Sequence, residues 1–177
     1  MESKKTIKKV KTFKLSKTSF TYNGKTQKPS VTVKDSAGKT LKKGTDYTVT
    51  YAKGCKNVGT YKVTIKFKGK YSGTKTLTFK INPPKATLKK VSSLNAALKV
   101  TVNKKTPQVT GYQIQYSTSK SFTKATTKTI KSAKTTSLTL KKLKSNKKYF
   151  VRVRTFKTVD GTKFYSGWSS YKTAKTK

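Results

Sequence analysis

Apolar side chains recur at every second position in short runs along nearly the whole chain, with mostly threonine and lysine between them. Tyr47, Val49 and Tyr51 alternate with threonines. Tyr61, Val63, Ile65 and Phe67 alternate with lysine and threonine, and Leu77, Phe79 and Ile81 close that region. A period of two puts one residue set on each face of a strand, whereas an amphipathic helix needs spacings of three and four. Each run has one apolar and one polar face, as antiparallel strands packed in two sheets require. The predicted fold class is all-β, with two antiparallel β-sandwiches in tandem.

Turn residues punctuate the pattern. Phe13 and Leu15 begin it, and Phe20 and Tyr22 lead to Asn23-Gly24. Val31 and Val33 run into Asp35-Ser36-Ala37-Gly38, a second turn signal. Pro83-Pro84 then interrupts, because two prolines cannot donate to a ladder and favour an extended path. The predicted organisation is a first module over 1–82, a short stiff linker at 83–84, and a second module over 85–177. In the second module Leu98, Val100 and Val102 form one strand, and Tyr112, Ile114 and Tyr116 another. Ile130, then Leu138 and Leu140, continue the alternation. Tyr149, Val151 and Val153 share a face opposite Phe150, Arg152 and Arg154. Asp160-Gly161 marks a hairpin, with Tyr165, Trp168 and Tyr171 expected on the returning strand.

Composition enters at two points. Apolar residues are only 32% of the 177, a fraction that without patterning would indicate disorder. Their alternation, and the weight of aromatic and β-branched types, argue for a folded core. The net charge is +40, from 44 basic and 4 acidic residues. Residues 1–83 carry 21 basic and 3 acidic residues, and 84–177 carry 23 and 1, so the halves stand at +18 and +22. Charge spread this evenly is a property of the whole surface. It attracts polyanions and strains the fold at low salt. Lysine outnumbers arginine by 42 to 2, and lysine attracts phosphate or sulfate without the bidentate geometry that reads bases. Sequence-specific nucleic-acid binding is not expected.

Catalytic chemistry has little material. Histidine is absent, and Glu2, Asp35, Asp46 and Asp160 are the only acids, so no acid–base pair is expected. Asp35 and Asp160 fall in turns, and Asp46 begins a strand, accepting local backbone donors. Cys55 has no histidine to serve as base. Lys53 and Lys56 are expected to favour its thiolate, and it reads as a loop residue with incidental reactivity. Zinc needs three or four ligands, and no such set is present. The chain is read as non-enzymatic, with no cofactor or metal. No run of ~18 apolar residues or signal-type leader is present, so it reads as soluble as given and as an excised fragment, its modules monomeric.

The stretches GYQIQYS, LTLKKLKSNKKYFVRVRTF and YSGWSS make residues of about 85–175 resemble a fibronectin type III domain. Leu143 stands six residues before Tyr149, so the resemblance implies that Tyr149 is the tyrosine corner. The position where that family has a core tryptophan is Val102. The spacing of Arg152, Arg154 and Trp168 resembles, in reduced form, the Trp–Arg ladder of cytokine-receptor fibronectin domains, and implies a cation–π stack. Trp168 with Tyr165 and Tyr171 would otherwise offer a sugar-stacking platform.

FTYNGKTQKPSVTV and LKKGTDYTVTYAKGCKNVGTYKVTIKFKGKYSGTKTLTFKI make residues of about 20–82 similar to the bacterial Ig-like repeats of Gram-positive surface proteins. That similarity implies export and an extracellular or cell wall-associated place. Surface proteins of this kind also carry Lys–Asn isopeptide crosslinks, for which Asp35 or Asp46 would be the promoter.

The expected function is that of a non-catalytic structural or adhesive segment of a bacterial surface protein, in weak multivalent contact with anionic wall polymers or host glycans. Lys141, Lys142, Lys144, Lys147 and Lys148 form the densest basic cluster and the expected point of polyanion contact. Two other readings stay open: an accessory carbohydrate-binding or spacer module of a secreted hydrolase, and a non-specific nucleic-acid-binding protein.

Overall fold

The structure, a computed structural model, describes residues 9–105 and 107–177; Glu2 lies outside them. Among these residues the chain is all-β with no helix. It divides into two compact units between Ile81 and Asn82.

In the first unit β1 (Val10–Leu15) pairs with β3 (Val31–Asp35). A second sheet runs in the order β2 (Ser19–Thr21), β6 (Thr74–Asn82), β5 (Gly59–Phe67), β4 (Tyr47–Tyr51). The alternation becomes burial: Val63 and Ile65 of β5 are fully buried, whereas Lys62 and Lys66 are exposed. Each such side chain contributes about 1.5–3 kcal/mol when taken from water. A tyrosine-rich core also needs partners for its hydroxyls. Tyr47 donates to the Val31 carbonyl (3.2 Å), Tyr51 to that of Pro29 (2.6 Å) and Tyr61 to that of Asn57 (2.8 Å). The first joins strands β4 and β3, and the other two tie strands to the loops beside them.

The second unit is a sandwich of a three-stranded and a five-stranded sheet. The smaller sheet is ordered β11 (Ser137–Leu140), β8 (Ala97–Val102), β7 (Leu88–Leu94). The larger runs β10 (Thr126–Ile130), β9 (Gly111–Ser117), β12 (Lys148–Val159), β13 (Thr162–Tyr165), with β14 (Lys172–Lys175) also paired to β12. Leu98, Val100, Val102 and Leu140 from one sheet meet Tyr112, Ile114, Val151 and Val153 from the other in a single core. Strand β7 was not legible in the alternation, because a register shift between Leu88 and Lys90 breaks the period of two.

Two expectations change. The returning strand is not continuous: β13 pairs with Phe156–Val159 and β14 with Lys148–Val151. Between them the hydroxyls of Ser166 and Ser169 accept from the N–H groups of Thr155 and Val153 (3.0 Å each). Trp168 and Tyr171 therefore lie in the connection, and only Tyr165 is on a strand. The Pro-Pro pair is also more than a connector, since Pro84 offers its carbonyl to the hydroxyl of the buried Thr155 (2.7 Å). The Asp160-Gly161 hairpin closes with φ of 46° and 77°, as a two-residue turn of the primed type requires.

Candidate functional site

On β12 the buried Val151 and Val153 alternate with Arg152 and Arg154, which project from the outer face of the five-stranded sheet. The antiparallel register places Gln115 opposite Arg152 and Gln113 opposite Arg154. Each guanidinium Nε donates to the facing amide oxygen, at 2.7 Å and 2.8 Å. The planar heads lie against aromatic rings. Arg152 sits 3.9 Å from the Phe122 ring centre and 4.9 Å from Trp168. Arg154 sits 4.4 Å from Trp168 and 4.0 Å from Tyr165. The result is an interleaved row, Phe122–Arg152–Trp168–Arg154–Tyr165, whose stacking follows from the quadrupole of each ring. Burial lowers both guanidinium pKa values; at Arg154 the approach of Tyr165 opposes that shift and Arg152 adds to it. Tyr171 packs beyond the end of this row, its ring centre 5.3 Å from that of Phe150 and 6.4 Å from that of Phe122. Guanidiniums stack on Trp168 and Tyr165, so these rings do not stand with Tyr171 as one open platform for a sugar.

Four lysines of the cluster occupy the turn between β11 and β12, and Lys148 opens β12. Leu143 is buried under it, and the Tyr149 hydroxyl accepts from the Lys144 N–H (3.2 Å). Buried Thr176 fixes the same loop, accepting from the Lys147 N–H (3.1 Å) and donating to the Lys144 carbonyl (2.6 Å). The five lysines do not act as one group. Lys142, Lys144 and Lys147 border an open hollow of about 890 Å³. Lys141 and Lys142 border a smaller recess with Lys128. Lys148 turns to the outer sheet face, its Nζ 5.6 Å from the Phe150 ring centre.

Across the hollow stands the β9–β10 loop with Ser119, Thr123 and Lys124, flanked by Ser117 at the end of β9 and Thr126 at the start of β10. Ser117 donates to the Thr123 carbonyl (2.8 Å) and accepts from the Ser119 N–H (3.1 Å). The floor is Tyr116 and Tyr149, packed edge-on with ring centres 6.3 Å apart. Among the described residues no acidic side chain lines this space.

The acids hold structure. Asp35 is buried; one carboxylate oxygen accepts from the N–H groups of Ala37 (3.0 Å) and Lys39 (2.9 Å), and the other accepts from the Tyr71 hydroxyl (3.1 Å). Burial first, then the Asp35 carboxylate, pushes the Tyr71 phenol pKa up. Asp46 accepts from the Lys42 N–H (2.8 Å). Among the described residues no lysine is buried, so neither aspartate is joined to an enclosed Lys–Asn pair that would form a crosslink. Among the same residues His, Cys, Asp and Glu do not gather in threes.

Cys55 departs from its expected character. Its side chain is 1% exposed and donates to the Ala52 carbonyl (3.0 Å). Burial pushes the thiol pKa up, and the cation that pulls against this is Lys28, not Lys53 or Lys56. Sequence neighbours were a poor guide because both flanking lysines extend into solvent.

Lys124, Phe122, Gln113 and Gln115 escaped the sequence reading. The glutamines carried a signal, alternating with Tyr112 and Ile114 as the arginines alternate with valines. Pairing the two rows required the register.

A family model described as fibronectin type III domain matches residues 82–170. Among solved structures the chain is similar to the chicken CNTN1 FN1-FN3 domains, at 18% identity and a TM-score of 0.45, covering 97% of this chain and 68% of that one. It is also similar to a set of titin domains, at 13% identity and a TM-score of 0.44, covering 91% of this chain and 62% of that one. No curated protein sequence matches significantly.

Proposed function

The chain belongs to the fibronectin type III family through residues 82–170, and from that membership we propose a non-catalytic structural and adhesive segment of a bacterial cell-surface protein. In this reading the first unit is a bacterial Ig-like repeat, and the protein works outside the cell or in the wall. Its partners are anionic wall polymers or host glycans, bound by many weak electrostatic contacts.

The observation that carries this reading is the placement of the lysines. Every described lysine is exposed or half-exposed, and none is buried. The halves of the sequence carry +18 and +22. Hydrated ammonium groups on flexible stems give attraction without a fixed geometry. Their sum over a whole surface holds a polymer better than it selects a small ligand.

Retention on immobilised heparin and on purified wall polymer tests it. Binding at about 50 mM NaCl that falls steeply as salt rises is expected, because each contact releases counterions. Flow-through at low salt would remove the adhesive role and leave a spacer. Retention on neutral sugars at high salt would instead mark an accessory carbohydrate-binding module of a hydrolase.

A further inference from the structure

The geometry points to the hollow between the β9–β10 and β11–β12 loops as a defined binding site for an acidic polysaccharide segment. Lys124, Lys142, Lys144 and Lys147 would meet its anionic groups, and the serine and threonine hydroxyls its sugar hydroxyls. This rests on the polyanion reading above and narrows it from the whole surface to one place.

Three observations converge. First, four lysine residues line one concavity, and among the described residues no acidic side chain lines it, so an anion arriving there meets a one-sided charge. The only acidic side chain of the second unit, Asp160, follows the far end of the twelve-residue strand β12, about 36 Å away at ~3.3 Å per residue.

Second, the walls are built rather than loose. The Tyr149 hydroxyl and Thr176 pin one lysine-bearing loop. On the other wall a chain of hydroxyls, Ser119–Ser121–Thr123, runs at 2.8 Å spacings. Preorganised walls lower the ordering cost of binding.

Third, both loops hold non-glycine residues in the left-handed region: Phe122 (59°), Lys124 (50°), Lys142 (58°) and Asn146 (54°). For residues other than glycine and asparagine this conformation costs about 1–2 kcal/mol, and two of the four are lysines of the hollow itself. Such strain in both bordering loops is of the kind found in functional loops.

The same geometry separates a glycan from a nucleic acid. Single-strand binders offer free aromatic faces on which bases stack. Here Tyr116 and Tyr149 pack against each other at the floor, and the walls are rich in hydroxyls.

The test is calorimetric titration of the full chain with a heparin-derived hexasaccharide, beside a single-stranded DNA hexamer. Two variants are compared, each losing four charges from exposed positions of the second unit. One carries Lys124→Gln, Lys142→Gln, Lys144→Gln and Lys147→Gln; the other carries Lys89→Gln, Lys99→Gln, Lys131→Gln and Lys134→Gln. The hollow variant is expected to weaken the hexasaccharide about tenfold or more, and the control less than about threefold. Arginine at the four hollow positions should keep affinity within about threefold, since the charge remains. Equal losses in the two glutamine variants would overturn the hollow while leaving the diffuse cationic surface standing. No binding by the unaltered chain would overturn both. DNA bound as tightly, with the same dependence on the four lysines, would overturn the assignment to a glycan.

Discussion

Cys55 shows how tertiary surroundings overrule sequence neighbours at the scale of one residue. Its thiol is enclosed and bonded to the Ala52 carbonyl, so the neutral form is favoured, and burial raises its pKa despite Lys28. The unfolded thiol ionises near its ordinary value of about 8.5, before the folded one does. The resulting stabilisation is complete below that value and is lost as pH rises through the raised folded pKa. Alkylation by iodoacetamide at about pH 8 is therefore expected to be roughly 100-fold slower in the native protein than in denaturant. Mass spectrometry of quenched samples measures it; equal rates would show that the loop around Cys55 opens freely. Arg152 and Arg154 show the converse case. Their rank on one strand face was legible from spacing alone, but Phe122, Gln113 and Gln115 as their partners were not, because those residues lie far away in sequence.

At the scale of the element, β9 illustrates what alternation omits. Tyr112 and Ile114 announce a strand, but not how tightly its first residue is packed. A Cβ placed on Gly111 would run into the Ile130 carbonyl oxygen and come within 2.9 Å of the Phe156 ring. Backbone cannot yield as a flexible side chain does, so Gly111→Ala is expected to cost about 2–4 kcal/mol. A chemical denaturation curve followed by Trp168 emission reads that loss. A change below about 0.5 kcal/mol would mean that β9 and β10 separate more easily than their register implies. The bulge in β7 and the break between β13 and β14 belong at this scale too. Both interrupt the two-residue period, one by a register shift and one by serine hydroxyls standing in for ladder partners.

Across the whole molecule, charge is the dominant variable. With +40 on 177 residues, the folded state carries a repulsion that the expanded chain relieves. Salt screens it: the Debye length falls from about 20 Å near 20 mM to about 4 Å near 500 mM. The thermal midpoint is expected to rise by about 5 °C over that range, equivalent to ~1 kcal/mol for a domain of this size. Scanning calorimetry at fixed pH measures it. A midpoint that stays flat or falls would show that the lysines lie too far apart in solvent to repel one another. Polyanion affinity should move the opposite way, weakening over the same range.

The sequence by itself determined the all-β class, the apolar faces of most strands and the +40 surface, because these depend on local periodicity and composition. It also marked the hairpin at Asp160-Gly161 and the lysine-rich loop before Tyr149, since turn chemistry is local. Only the tertiary structure decided which lysines share a space. Lys124 lies far in sequence from Lys142, Lys144 and Lys147, and meets them across the hollow only because β9 and β12 pair. It likewise decided that Cys55 is enclosed, that Asp35 meets Tyr71, and that the aromatic rings near Trp168 carry guanidiniums. Each is a contact between distant segments, fixed by sheet register and loop geometry rather than by the residues on either side.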